Sequence, residues 1–168
     1  MNALNDMGDQ LREIISMAYV PLKNKSNDEL SSKESPGKWS EKEIIGHLID
    51  SAYNNHQRFL RAMDQDHLVF NGYDQEKWVI HNNYQQRESY EVIECWKMSN
   101  MQLAELIDRI PKNKLEYETI DHNFHKICMV RPEKNSISSL KYLISDYLFH
   151  LEHHLQQILP NYLRIHVD

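Results

Sequence analysis

Glycine and proline hardly interrupt this chain: 4 Gly and 5 Pro stand in 168 residues. Both residues break helices, so such sparse punctuation favours long helices over many short strands. Four stretches carry apolar residues at helical spacing. The first runs from about Leu4 to Val20, with Leu4, Met7, Leu11, Ile14, Ile15 and Ala18 in phase, and Pro21 is expected to end it. A polar stretch rich in Ser, Asn and Lys follows, down to Pro36 and Gly37. The second helix has the clearest start. Ser40 and Glu43 form a Ser-x-x-Glu capping box, flanked by Trp39 and Ile44 as a hydrophobic staple, and the helix is expected to reach about Met63. Residues 64–87 hold Phe70, Tyr73 and Trp78 without sustained period, which reads as an ordered crossover whose aromatics pack onto the helices. A third helix spans about Ser89 to Ile110, stopped by Pro111. Residues 111–135 form a second long connection, with a short extended piece expected around Ile127–Val130. The fourth helix is expected to begin near Ser136–Ser138 and to end before Pro160. The reading is an all-α chain: a four-helix bundle with long crossover connections, one domain over residues 1–168.

The formal net charge of −6 argues against a nucleic-acid binder, which needs a basic surface, and no basic run offsets it. The N-terminal MNALNDMGDQLREII lacks the layout of a secretory signal, and no stretch approaches the ~18 apolar residues of a membrane span. A cytoplasmic protein with no membrane partner is expected. Cys95 and Cys128 stand alone, so neither a thiolate metal site nor a disulfide framework is indicated. The 10 histidines are a high count, and their placement carries information.

At about 100° per residue, Leu140, Ile144, Tyr147, Leu151, Leu155 and Ile158 form the apolar stripe of the fourth helix. His154 falls about 40° to one side of Leu140, His150 about 80° on that same side, and His153 about 140° away toward solvent. Two imidazoles at i, i+4 can reach one ion from a single helix face. Spacing alone equally allows two half-exposed histidines at the edge of a stripe. In the second helix Ile44, Leu48, Ala52, Phe59 and Ala62 make the stripe, and His47, Ser51, Asn54 and Arg58 form a polar column beside it. A polar column along a buried edge is costly unless its groups are satisfied. If the two flanks face each other, His47, His150 and His154 offer three nitrogens to one divalent ion, with room left for water or substrate. Taken singly, His47 would be a hydrogen-bonded core histidine. His122 and His125, in DHNFHK, are read as solvated loop residues that could serve as ligands. His56, His67, His81 and His166 are read as surface or loop positions, and Trp39, Trp78 and Trp96 as packing residues.

The strings KWSEKEIIGHLIDSAYNNHQRF, YDQEKWV and YLFHLEHHLQQI closely resemble the DinB/YfiT superfamily of metal-binding four-helix bundles, in order and over nearly the whole chain. On that resemblance His47 matches the ligand of the first motif, and His150 and His154 the pair on the last helix. The resemblance implies a homodimer and one divalent metal ion (zinc, nickel or similar). It also implies, for some relatives, enzymes that use low-molecular-weight thiols, such as bacillithiol transferases and mycothiol-dependent isomerases.

Three neutral imidazoles leave a divalent ion positively charged with open positions, able to acidify a bound water or thiol. The leading expectation is a thiol S-transferase that joins a small-molecule thiol to an electrophilic substrate, with metal-dependent hydrolysis as its chemical sibling. A non-catalytic, metal-stabilised helical dimer is the alternative from another class. Asp50 and Asp146 are read on the outer flanks, either as acceptors that orient the ligand histidines or as solvated carboxylates. Arg58 is read as holding a carboxylate of thiol or substrate, or as an ordinary salt-bridging residue. An open metal site would favour an enzyme. A site closed by His125 or a carboxylate would favour a structural role.

Overall fold

The computed structural model describes residues 7–165; the expected helix start at Leu4 and the surface reading of His166 lie outside them. Four long helices make the bundle: α1 (Met7–Lys23), α3 (Glu41–Asp64), α5 (Ser89–Asp108) and α8 (Leu140–Ile158). Short helices occupy the connections: α2 (Asn27–Ser31), α4 (Gln75–Asn82), α6 (Lys112–Leu115) and α7 (Phe124–Ile127), with a 3₁₀ turn at Tyr84–Gln86. Two two-residue strands, β1 (Glu118–Thr119) and β2 (Ser138–Ser139), pair antiparallel. The fold is an all-α four-helix bundle with two long crossovers.

Pro21 does not end α1. A proline removes its own N–H bond and crowds the carbonyl four residues back, yet here it sits in the last turn, where Asn24 N–H still reaches Val20 O at 3.2 Å. Fully buried Leu22 gives that extra turn a packing reason to persist. The polar stretch after it contains α2, capped by Ser26 and Glu29 in the same reciprocal box as α3 and anchored by buried Leu30. At α3 the Ser40 hydroxyl accepts from Glu43 N–H, and Glu43 accepts from Ser40 N–H at 2.8 Å, which fixes where that helix begins.

The apolar faces of α1 and α5 form the dry side of the core, with Leu11, Ile14, Ala18 and Leu22 on one and Val92, Trp96, Leu103 and Ile107 on the other, all buried. Trp96 is wholly buried, and truncating such a residue typically costs ~3–5 kcal/mol.

The first crossover carries more helix than its missing periodicity suggests, because α4 has an Asp74 side-chain cap rather than a long stripe. It is tied back to α3 at several points, most closely at Gly46. Gly46 lies under the Tyr84 ring so closely that a Cβ there would sit 2.1 Å from it. That approach brings the Tyr84 hydroxyl to Asp50 Oδ1 at 2.7 Å. The extended pieces of the second crossover lie at β1 and β2, not at Ile127–Val130, and α8 starts after Ser139 rather than at Ser136–Ser138. Ile127 instead closes the single turn anchored by buried Phe124, and the N–H groups of Met129 and Val130 are taken by the Asp146 carboxylate at 3.0 and 2.7 Å. The two crossovers are stitched side by side. Asn123 bonds both backbone groups of Phe70, and Leu68 N–H donates to Asp121 O at 2.8 Å. Together they wall the space between α3 and α8.

Candidate metal centre

The second turn of α3 presents His47, and the middle of α8 presents His150 and His154 one turn apart. The three rings meet. His47 Nε2 lies 3.0 Å from His150 Nε2, and the ring centroids are 5.0, 4.9 and 4.7 Å apart for the pairs 47–150, 47–154 and 150–154. One nitrogen from each residue lies within 4.8 Å of the other two. Two ligand nitrogens on a tetrahedral zinc are separated by roughly 3.3 Å, given Zn–N bonds near 2.0 Å, so the cluster has about the right scale for one ion.

The protonation chemistry agrees with that scale. Burial, with a smaller push from His154, lowers the His47 pKa from its ordinary value to about 3. Burial also lowers His150 and His154. All three are therefore neutral imidazoles near pH 7, the form that ligates metal. His154 Nδ1 lies 2.9 Å from Gln157 Oε1, an acceptor, so its proton is on Nδ1 and its Nε2 lone pair is free. His47 Nδ1 is buried with no partner. Trp39 packs beside the His47 ring at 5.2 Å between centroids, closing that side. The donor set fits a divalent ion. Among the described residues no fourth His, Cys, Asp or Glu joins it, and His125 does not reach it.

The triad opens into a cleft of about 390 Å³. The polar column of α3 continues along its floor as Ser51, Asn55 and Arg58, all buried. Asn55 bonds Ser51 O at 3.0 Å. It was missed in sequence, although its spacing of four from Ser51 and three from Arg58 places it on that column. Asn54 does not line the cleft; it accepts a 3.4 Å bond from Gln57 instead. The crossovers contribute Tyr73 on one wall and Cys128 and Met129 on the other.

Four sequence expectations need correcting. Asp50 does not orient a histidine from an outer flank. It is 2% exposed, and its Oδ1 takes Asn82 at 2.8 Å and Tyr84 at 2.7 Å, because the first crossover covers that side of α3. Asp146 borders the cleft, but its carboxylate holds Met129 and Val130 rather than a ligand ring. The side chain that orients a ring of the triad is Gln157, three residues beyond His154. Its amide also reaches His153 Nε2 at 3.1 Å, and His153 is half-buried on the cleft wall rather than solvated. His122 is likewise buried, and not as a ligand: its Nδ1 accepts from Phe124 N–H at 3.2 Å and its Nε2 meets Ser136 O at 2.9 Å.

Known proteins resemble this chain. A protein of Oceanobacillus iheyensis described as a candidate metal-dependent hydrolase is 28% identical over 135 residues, spanning 79% of this chain and 70% of its own length. The solved structure of YfiT from Bacillus subtilis, described as a probable metal-dependent hydrolase with an unusual four-helix bundle topology, superposes with a TM-score of 0.74. That match covers 95% of this chain and 87% of YfiT at 15% identity, a likeness of fold alone. The DinB superfamily pattern matches residues 10–158. The chain belongs to the DinB superfamily.

Proposed function

We propose that this protein is a divalent-metal enzyme that joins a low-molecular-weight thiol to a small electrophile in the cleft beside His47, His150 and His154. The observation that carries the reading is a three-histidine cluster of neutral imidazoles facing an open cleft, with no fourth protein ligand among the described residues. A divalent ion held there would supply Lewis acidity, which lowers the pKa of a thiol or water nucleophile. The cleft volume of about 390 Å³ suits a small molecule.

The cleft walls favour a thiol over water. Water must surrender its proton to become a strong nucleophile, and Asp146 is the one carboxylate that lines the cleft among the described residues. Asp146 is committed to two backbone N–H groups. His153 Nε2 accepts the Gln157 amide proton, which leaves the ring proton on Nδ1 as a donor. A thiol loses its proton far more readily near neutral pH. In the reaction the sulfur forms a bond to the electrophilic carbon, the leaving group departs with its electron pair, and the thiol proton passes to solvent. Hydrolysis is the second reading, favoured by the descriptions of the two relatives.

The test is turnover by zinc- or nickel-loaded protein of 1-chloro-2,4-dinitrobenzene with a panel of small thiols, beside p-nitrophenyl acetate in water. Thiol-dependent turnover that disappears in His150→Ala supports the first reading. Ester cleavage that is indifferent to thiol and lost in the same variant replaces it with the second.

A further inference from the structure

The cleft contains a buried cation that forms no ion pair among the described residues. Arg58 is 6% exposed, yet no ion pair holds it among the described residues. One terminal nitrogen donates to Asn71 O at 2.9 Å, the other has only a long 3.5 Å contact to Asn55 Oδ1, and Nε has no partner. A buried guanidinium usually finds a carboxylate, because an unpaired buried charge is strongly unfavourable. The surroundings extend the pattern. Lys126 and Arg131 border the same cleft, exposed and outside any ion pair among the described residues, and Asp146 is its one acidic residue. The lining thus carries three cations against one anion, in a chain whose formal net charge is −6. Asp146 lies across from Arg58 on α8 and acts on it electrostatically, but it forms no ion pair with the guanidinium, and its two oxygens each accept a backbone N–H, from Met129 and Val130.

We infer that Arg58 is an anion subsite that takes a carboxylate of the small molecule bound in the metal cleft, with Lys126 and Arg131 drawing that anion to the mouth. The guanidinium is a planar fork suited to bidentate carboxylate binding, and it shares a floor with the triad, so a ligand anchored there places its other end toward the histidines. The inference rests on the proposed function for the identity of the occupant, but not for the existence of the subsite. An alternative role, stitching Asn71 to α3, explains one of the five N–H groups and leaves the charge without an ion-pair partner.

The experiment is a titration of zinc-loaded and metal-free protein with succinate, with inorganic phosphate and with uncharged succinamide. It is followed by calorimetry and by the Arg58 Nε–H signal in NMR spectra of ¹⁵N-labelled protein. The expected result is saturable succinate binding in both forms, a shifted Arg58 signal with the same midpoint, and no response to succinamide. Arg58→Lys, which keeps the charge and loses the fork, weakens succinate roughly tenfold, and Arg131→Gln weakens it less. Phosphate binding more tightly than succinate would replace carboxylate by phosphate as the ligand class and overturn that part of the inference. Competition between N-acetylcysteine and succinate places the carboxylate on the thiol, and simultaneous binding places it on the electrophile; either supports the subsite. An unmoved Arg58 signal, or succinate binding unchanged in Arg58→Lys, overturns it. Succinate binding without any thiol or ester turnover would leave the subsite standing and remove the proposed reaction.

Discussion

The triad at the α3–α8 seam and His122 in the second crossover are both built from histidine at low exposure, and they are chemically opposite. His122 has both ring nitrogens matched, one by Phe124 N–H and one by Ser136 O, so the ring is a structural clip. In the triad one nitrogen of each ring gathers with the other two instead. His47 Nε2 faces His150 Nε2, and His47 Nδ1 has no partner at all. Burial alone therefore does not separate a ligand from a clip. What separates them is whether the surrounding backbone answers the ring, and at the triad no backbone group does, which is the state a metal ligand set would show.

The largest expected effect follows from that difference. Zinc present at about 100 times its dissociation constant should stabilise the wild-type protein by about 2.7 kcal/mol, read as a rise in thermal midpoint. That rise should vanish in His47→Ala and His154→Ala and persist in His122→Ala. A rise that survives in the triad variants would mean that the ion binds elsewhere.

Acidification of the metal-free protein sharpens the contrast next. His47 titrates near its ordinary value of 6.5 when unfolded and near 3 when folded. Above pH 6.5 it is neutral in both states and contributes no pH dependence. Between 6.5 and 3 the unfolded chain binds a proton that the folded chain refuses, so stability falls as pH falls through that window, by an amount on the order of a few kcal/mol. Urea midpoints at pH 7.5 and 4.5 measure it, and His47→Gln should flatten the slope. An unchanged slope in that variant would place the acid sensitivity elsewhere.

His122→Ala should cost about 2 kcal/mol of stability with metal content unchanged, because the Phe124 N–H and Ser136 carbonyl lose their partner; denaturant unfolding measures it. The smallest effect is at Gln157, which fixes the His154 tautomer from an exposed position. Gln157→Ala should weaken zinc by about tenfold, measurable by competition with a chelator, and a neutral result would make that hydrogen bond incidental.

Local signals in the sequence carried most of the bundle. The Ser40–Glu43 box set the start of α3, and the i, i+4 spacing of His150 and His154 put both on the flank that meets His47. The same logic would have found α2, since Ser26 and Glu29 repeat the box within a stretch whose polarity suggested a loop. The misreadings share a cause, which is that tertiary contacts decided them. Pro21 was outweighed by the burial of Leu22. Asp50 was claimed by Tyr84 through a contact across 34 residues. Asp146 was claimed by backbone N–H groups 16 and 17 residues away, and helical wheels contain no information about such partners.

The most direct test of the triad is metal content by elemental mass spectrometry on untagged protein after incubation with zinc or nickel, beside His150→Ala and His122→Ala. The account predicts about one divalent ion per chain in the wild type and in His122→Ala, and essentially none in His150→Ala. Wild-type protein that holds no ion, or a His150→Ala variant that holds as much as the wild type, would contradict it.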